Sequence, residues 1–250
     1  MVATLRASES IAESFDRFFS VTLADSDELL KQTQKIRFNV YCKEFGYEDR
    51  THFPDGLEID EFDKQSTHAL IVHRATLTPA GCVRMVPTLR DCPDSPLPFE
   101  KHCVDSLDRQ FLDSLGLDRS TVCEISRLAV DGTFRRRGAK ERQTRFGHVE
   151  DLQFSSAEKR TLPMIAVAAY LAATAITERT GNTNVFAMME PFLPRLLSRS
   201  GINFEQAGER IEYHGTRAPY FITTQSALET MNPHLRDLYD MIRHQLYAPK

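Results

Sequence analysis

The residues best suited to chemistry fall into two opposed blocks. From Glu44 to Asp63 the chain carries eight acids (Glu44, Glu48, Asp49, Asp55, Glu58, Asp60, Glu61 and Asp63) against one base, Arg50. The densest stretch is Glu58-Ile-Asp60-Glu61-Phe-Asp63. Clustered carboxylates repel and persist where cations or a cationic ligand offset them. Three arginines in apolar surroundings, Arg37, Arg84 and Arg127, are candidate offsets. Most charge runs are solvated faces, so the plain expectation is a solvated acidic loop plus surface arginines. The sharper alternative is an interior Arg–carboxylate network that orders a site for a polar, amine-bearing substrate.

The second block, 134–145, holds six bases (Arg135, Arg136, Arg137, Lys140, Arg142 and Arg145) and one acid, Glu141. Arg135-x-x-Gly138 directly after a strand suggests a turn whose amides and cations receive phosphate. A flexible basic loop and a nucleic-acid patch are the alternatives, the latter disfavoured by sparse aromatic interleaving at Phe134 and Phe146. Between the blocks lies Glu124-Ile-Ser126-Arg127, inside the expected strand Thr121–Val130. Strict alternation puts Glu124 and Ser126 on one face and Arg127 on the other. A bulge brings all three to one mouth, whereas an edge strand leaves them on a solvent face.

Other chemistries rank lower. The five cysteines (Cys42, Cys82, Cys92, Cys103 and Cys123) are odd in number with no C-x-x-C pair. His102–Cys103 lacks a second ligand pair at metal spacing, so reduced thiols are expected rather than a metal site or disulfide framework. No H-E-x-x-H, G-x-S-x-G or P-loop motif occurs.

The elements that position these residues follow from patterning. With 250 residues, 26% charged and 41% hydrophobic, the chain is ordinary globular material, not disordered, collagen-like or coiled coil. One domain over 1–250 is expected. The net charge of −4 argues against a nucleic-acid coat protein. The N-terminus lacks an apolar signal core, and the longest apolar run, Met164–Ala173, is too short to span a bilayer. A cytoplasmic location without an integral membrane segment is the expectation. Phe15–Leu23 reads as a strand, and Asp27–Phe45 as a helix with one apolar stripe. His68–Arg74 and Gly81–Leu89 read as a hairpin around a turn at 78–81. Leu162–Thr180 reads as a helix with Pro163 in its first turn and Gly181 at its end. Asn184–Met189 is a strand, Pro191–Ser200 a helix, Ile202–Gln206 and Tyr220–Thr224 late strands, and 233–246 a terminal helix. Hairpins first and crossovers later predict a mixed central sheet of α+β type flanked by helices.

Four segments, in order, resemble a family. Ile36–Cys42 is similar to the first-helix motif of acyl-homoserine lactone synthases, and Gly56–Asp63 to their E-x-D-x-x-D motif. Gly81–Thr88 is similar to their G-x-x-R-x-x-P-T strand, and Cys123–Arg127 to their E-x-S-R strand. Phe134–Arg137, Ala187–Pro191 and Glu212–Arg217 look closer to N-acyl amino acid synthases and to the acyltransferases associated with the PEP-CTERM/exosortase system. Lactone synthases usually have Phe where this chain has Tyr41 and Trp where it has Tyr47. The chain has no Trp, which favours an N-acyl amine over a lactone.

The resemblance implies the GNAT fold and transfer of a fatty acyl group from acyl carrier protein, or from acyl-CoA, to an amine, with no tightly bound cofactor. An acyl-homoserine lactone synthase and a non-catalytic acyl- or carrier-binding module are the alternatives. In the implied site Glu124, Glu58, Asp60 and Asp63 are candidate general bases, with Glu124 or Glu58 preferred. Arg37, Tyr41, Arg84, Ser126 and Arg127 would order the acceptor. A bulged strand would supply an oxyanion N–H near Leu128–Val130. Arg135, Arg136, Arg137 and Gly138 would receive the phosphopantetheine arm and dock the acidic carrier protein.

Overall fold

Local signals in the sequence decide where the first elements begin. Ser10 caps helix α1 (Ile11–Phe18), accepting from the Glu13 amide while Glu13 reaches back to the Ser10 amide. That capping box draws Phe15–Phe18 into the helix, so strand β1 is only Phe19–Leu23 and not the longer strand expected from its β-branched and aromatic content. Ser26 likewise caps α2 (Asp27–Arg37). The structure, a computed structural model, describes residues 9–89, 91–135 and 154–248.

Past Arg37 the helical segment continues in π form over Phe38–Glu44. A π turn rotates the following side chains off the α-helical stripe and is frequent at functional sites. Strands β2 (Thr67–His73) and β3 (Thr78–Pro87) form the expected hairpin. The turn is at residues 74–77, with Leu77 at φ 55°, rather than at 78–81. The Thr-Pro-Ala-Gly sequence there is extended and paired, so tertiary pairing overrode its turn propensity. Short helices α3 (Pro98–His102) and α4 (Arg109–Leu115) lead into β4 (Val122–Val130). Then come α5 (Ser156–Thr161), α6 (Met164–Thr180), β5 (Asn184–Met189), α7 (Phe192–Ser198), β6 (Glu205–Gln206) and β7 (Ile211–Glu212). Strand β8 spans Thr216–Thr223 and starts earlier than its apolar end suggested. Helices α8 (Thr224–Thr230) and α9 (Pro233–Tyr247) close the chain. Helix α8 carries no strong apolar period and was not expected from the sequence.

The sheet runs β1-β2-β3-β4-β5-β8-β6, with β7 paired to β8. Its pairs are antiparallel except β4 and β5. The parallel pair follows from the α6 crossover, which needs the length that a hairpin does not have. Helix α6 buries Ile165, Ala168, Ala169, Ala172, Ala175 and Ile176 against the sheet and against α9. Its small side chains let it sit close. At Gly81 on β3, a Cβ would lie 3.0 Å from Ile165 and 3.1 Å from the Ala129 carbonyl. The mixed α+β architecture read from the sequence is therefore observed. Among the described residues no helix is long and apolar enough to cross a membrane.

Candidate active site

Strands β4 and β5 pair only at Val122–Glu124 with Asn184–Phe186. Beyond Glu124 they part, while β4 stays bonded to β3 and β5 to β8. The backbone groups of β4 on its β5 side thus open into a gap instead of a ladder. That gap is a cleft of about 320 Å³, lined along β4 by Glu124–Val130 and along β5 by Ala187–Met189.

The third feature of β4 is a bulge. Cys82 pairs with Ala129 and Arg84 with Ser126, so one intervening residue on β3 faces two, Arg127 and Leu128, on β4. Arg127 has φ 52°, the left-handed region that a non-glycine residue occupies only at some cost. The extra residue swings Arg127 to the same side as Arg84, as the bulge alternative anticipated. Tyr41, turned by the π segment, donates its hydroxyl to the Leu128 carbonyl at 2.8 Å and fixes the bulge from outside.

Under the bulge lie Glu58, Asp60 and Asp63 of the acidic block, which are not solvated as composition favoured, whereas Glu44, Asp49, Asp55 and Glu61 are exposed as it expected. Arg37 and Arg84 are fully buried, and Glu58 and Asp63 are 1% and 5% exposed. Arg37 donates to Glu58 and, at 2.7 Å, to Asp63. Arg84 donates to Asp60 at 2.5 Å, to Asp63 at 2.7 Å and to the Ser126 hydroxyl at 3.2 Å. Arg127 pairs with Glu58 at 3.1 Å and Asp60 at 3.2 Å. Three guanidinium groups and three carboxylates balance in charge, which is what permits burial. Burial alone would raise Asp60 and Asp63; for Asp60 Arg84 and then Arg127, and for Asp63 Arg37 and then Arg84, outweigh it and hold both below the usual carboxylate range. Neighbouring His68 is pushed down to about 4, first by burial and then by Arg37 and Arg84 against the pull of Asp63, so it is neutral at pH 7.

Glu124 has a different environment. It is 3% exposed and lines the cleft. Its Oε2 accepts the Phe99 amide of α3 at 2.7 Å, and its Oε1 has no hydrogen-bond partner among the described residues. No cation forms an ion pair with it there. Burial, only partly offset by the Phe99 amide and by Arg84 and Arg127, pushes its carboxyl up to about 7. A carboxyl near neutrality in a cleft is matched to moving a proton at physiological pH.

The rest of the wall comes from segments far apart in sequence. Phe45 and Tyr47 follow the π turn; Tyr213, His214 and Arg217 come from the β7–β8 hairpin. Tyr47 and His214 rings lie 5.5 Å apart, and Arg217 stands 5.6 Å over the Tyr47 ring. His214 Nε2 lies 3.5 Å from Glu48, which is 3.7 Å from Arg127. Sequence reasoning assigned no role to Glu48, Tyr170, Tyr213, His214 or Arg217. Glu48 stood out only as one of the acidic block, and Tyr213, His214 and Arg217 only as part of the stretch resembling N-acyl amino acid synthases, neither of which says which cleft they close.

Among the sequence candidates, Glu124, Tyr41, Ser126, Arg127, Val130 and Arg135 line the cleft, whereas Glu58, Asp60, Asp63, Arg37 and Arg84 form the network behind it. Arg135 pairs with Glu44. Arg136, Arg137 and Gly138 lie outside the described residues. The described cysteines are all free thiols, buried except Cys92, and no group of three His, Cys, Asp or Glu among the described residues is arranged to hold a metal.

Residues 36–144 match the acetyltransferase (GNAT) domain family. No protein of curated function matches the chain by sequence. Among solved structures, TofI in a ternary complex with an inhibitor and MTA aligns with a TM-score of 0.58 at 17% identity, over 86% of this chain and 99% of that one. BjaI, a CoA-dependent acyl-homoserine lactone synthase solved with MTA, aligns with a TM-score of 0.56 at 17% identity, over 90% and 89%. FeeM, an N-acyl amino acid synthase from uncultured soil microbes, aligns with a TM-score of 0.54 at 11% identity, over 85% and 94%. The parted β4–β5 sheet described above is the GNAT-like fold that this chain shares with them.

Proposed function

We propose that the chain is a cytoplasmic N-acyltransferase that moves a long-chain fatty acyl group from a carrier-protein or coenzyme A thioester to the amine of an amino acid or similar small molecule. We read it as kin to the exosortase-associated acyltransferases. The observation that carries the proposal is Glu124, a buried carboxyl at about 7 in the gap between the parted strands.

An ammonium has no lone pair to attack with. Glu124 takes its proton, directly or through one water. The amine then attacks the thioester carbon, and the carbonyl electrons move onto oxygen. Backbone N–H groups of the unpaired edge of β4, near Leu128–Val130, receive that oxyanion. As the oxyanion collapses, the C–S bond breaks and the leaving thiolate takes up a proton, giving amide and free thiol. The Arg37–Glu58–Asp63–Arg84–Asp60–Arg127 network holds the bulge in place rather than exchanging protons, since its arginines hold Asp60 and Asp63 below the usual carboxylate range.

The acyl chain lies along Met188, Met189 and Leu193. It continues toward a small apolar cavity of about 40 Å³ that shares Ile125, Tyr170 and Ala187 with the cleft. The phosphopantetheine arm follows Val130 and Arg135 toward the basic segment 134–145, which docks the acidic carrier protein.

The test is direct. Purified protein is mixed with decanoyl- and hexadecanoyl-carrier protein or coenzyme A, with amino acids and S-adenosylmethionine as acceptors, while free thiol is followed and products are identified by mass spectrometry. The expected result is equal amounts of thiol and N-acyl amino acid. No thiol release with any donor–acceptor pair would leave only a binding module, and a lactone from S-adenosylmethionine would replace the acceptor named here.

A further inference from the structure

Among the described residues three arginines line the cleft, and two are already paired. Arg127 is held by Glu58 and Asp60, and Arg135 by Glu44. Arg217, on β8, forms no ion pair with a carboxylate among the described residues, and its Nε is buried without a hydrogen-bond partner. A guanidinium is always charged and carries five donors in a planar fork, so an unpaired one facing a cleft invites a planar anion.

We propose that Arg217 is the carboxylate anchor for the amine acceptor, which makes the acceptor an α-amino acid and not a simple amine; this rests on the transferase reading above. Its position supports the assignment. Glu124 and Arg217 line the same cleft, one from β4 and the other from β8. The amine is thus turned toward Glu124 while the carboxylate meets Arg217. Tyr47 backs the guanidinium at 5.6 Å and holds its plane. His214, beside it, does not compete as a cation. Burial, together with Arg217 and Arg127 and against Glu48, lowers its pKa, leaving it neutral at pH 7. The other anion the proposed reaction brings to the cleft is the phosphate of the donor arm, which the reading above places past Val130, at the end of β4, and Arg135 beyond it, rather than at the β7–β8 hairpin.

The experiment uses two amide products that differ only by a carboxylate, N-decanoylphenylalanine and N-decanoylphenethylamine, with coenzyme A as a third probe. Equilibrium affinities are measured by calorimetry on the full chain, Arg217→Gln and Arg217→Lys. The wild-type chain is expected to prefer the carboxylate probe ten- to hundredfold, the span of a charged hydrogen-bonded pair. Arg217→Gln brings the preference to near unity and Arg217→Lys restores part of it. Equal wild-type affinities, failure of both amides to bind, or loss of both alike in Arg217→Gln overturns the proposal. Selective loss of coenzyme A binding assigns Arg217 to the donor phosphate and also overturns it. A carboxylate preference that depends on Arg217, with no thiol release from any acceptor, supports the anchor while refuting the transferase.

Discussion

Glu124 titrates near 7 because its burial outweighs the Phe99 amide and the charges of Arg84 and Arg127, and the consequences can be measured one residue at a time. Glu124→Gln preserves the acceptor oxygen for the Phe99 amide but cannot take a proton. Turnover should fall a hundredfold or more, while thermal stability at pH 8 does not fall. In the wild-type chain kcat/KM should rise with pH and level off above about 7; in the variant the rise should vanish. Linkage has a definite sign here. The folded pKa lies above the unfolded one, so the stability it contributes is fully present below about 4.5 and is lost as pH rises through about 7. Unfolding in urea at pH 5 and pH 8 should therefore show a decline that Glu124→Gln abolishes. Arg84 behaves oppositely. Arg84→Met leaves Asp60 and Asp63 short of a buried cation and should cost about 3–5 kcal/mol in the same urea assay; a cost near zero would mean that the network is wetter than its geometry implies.

At the scale of elements, the site depends on a strand that bulges and two strands that part. The bulge was legible only as a possibility, because alternation in Glu124-Ile-Ser-Arg127 put Arg127 on the wrong face. The extra residue became visible only in the pairing of β3 with β4. Far from the bulge, the segment before α4 is pinned to the β6–β7 connection through Leu107 and Gly208. A Cβ on Gly208 would lie 2.0 Å from the Ser106 carbonyl oxygen, which is backbone and cannot rotate away. Gly208→Ala should therefore force the two segments apart and lower stability by about 2 kcal/mol or more. Thermal melting checks this, and an unchanged Tm would show that the contact yields without cost.

For the whole molecule, the matched domain at 36–144 is not a self-sufficient unit. Helix α6 has apolar residues on nearly every side and needs cover on the face away from the sheet. Helix α9 supplies it with Leu235, Leu238, Tyr239, Ile242 and Leu246, all buried. At about 1.5–3 kcal/mol for each buried large side chain, their loss is on the order of 10 kcal/mol, comparable to a domain's entire stability. A chain ending at Met231 should accumulate as insoluble or protease-sensitive protein; a cooperative melt from it would contradict this. The near-neutral net charge hides opposed blocks, and Arg37, Arg84 and Arg127 offset the part of the acidic one formed by Glu58, Asp60 and Asp63.

What the sequence determined by itself is the set of elements and most of the chemistry. Period and caps are local, so the long helix at 164–180, the hairpin strands and the terminal helix could be read along the chain, and with them the α+β class. The residue types at 58–63 and 124–127 singled out both the network and the proton-accepting candidate. Tertiary structure decided where each one sits. It buried Glu58 and Asp63 among arginines drawn from three elements, left Glu124 without an ion pair among the described residues, and brought Tyr47, Tyr213, His214 and Arg217 to the same gap. Those outcomes depend on distances between residues far apart in the chain. Desolvation and charge pairing are set by such distances, and no periodicity in a sequence encodes them.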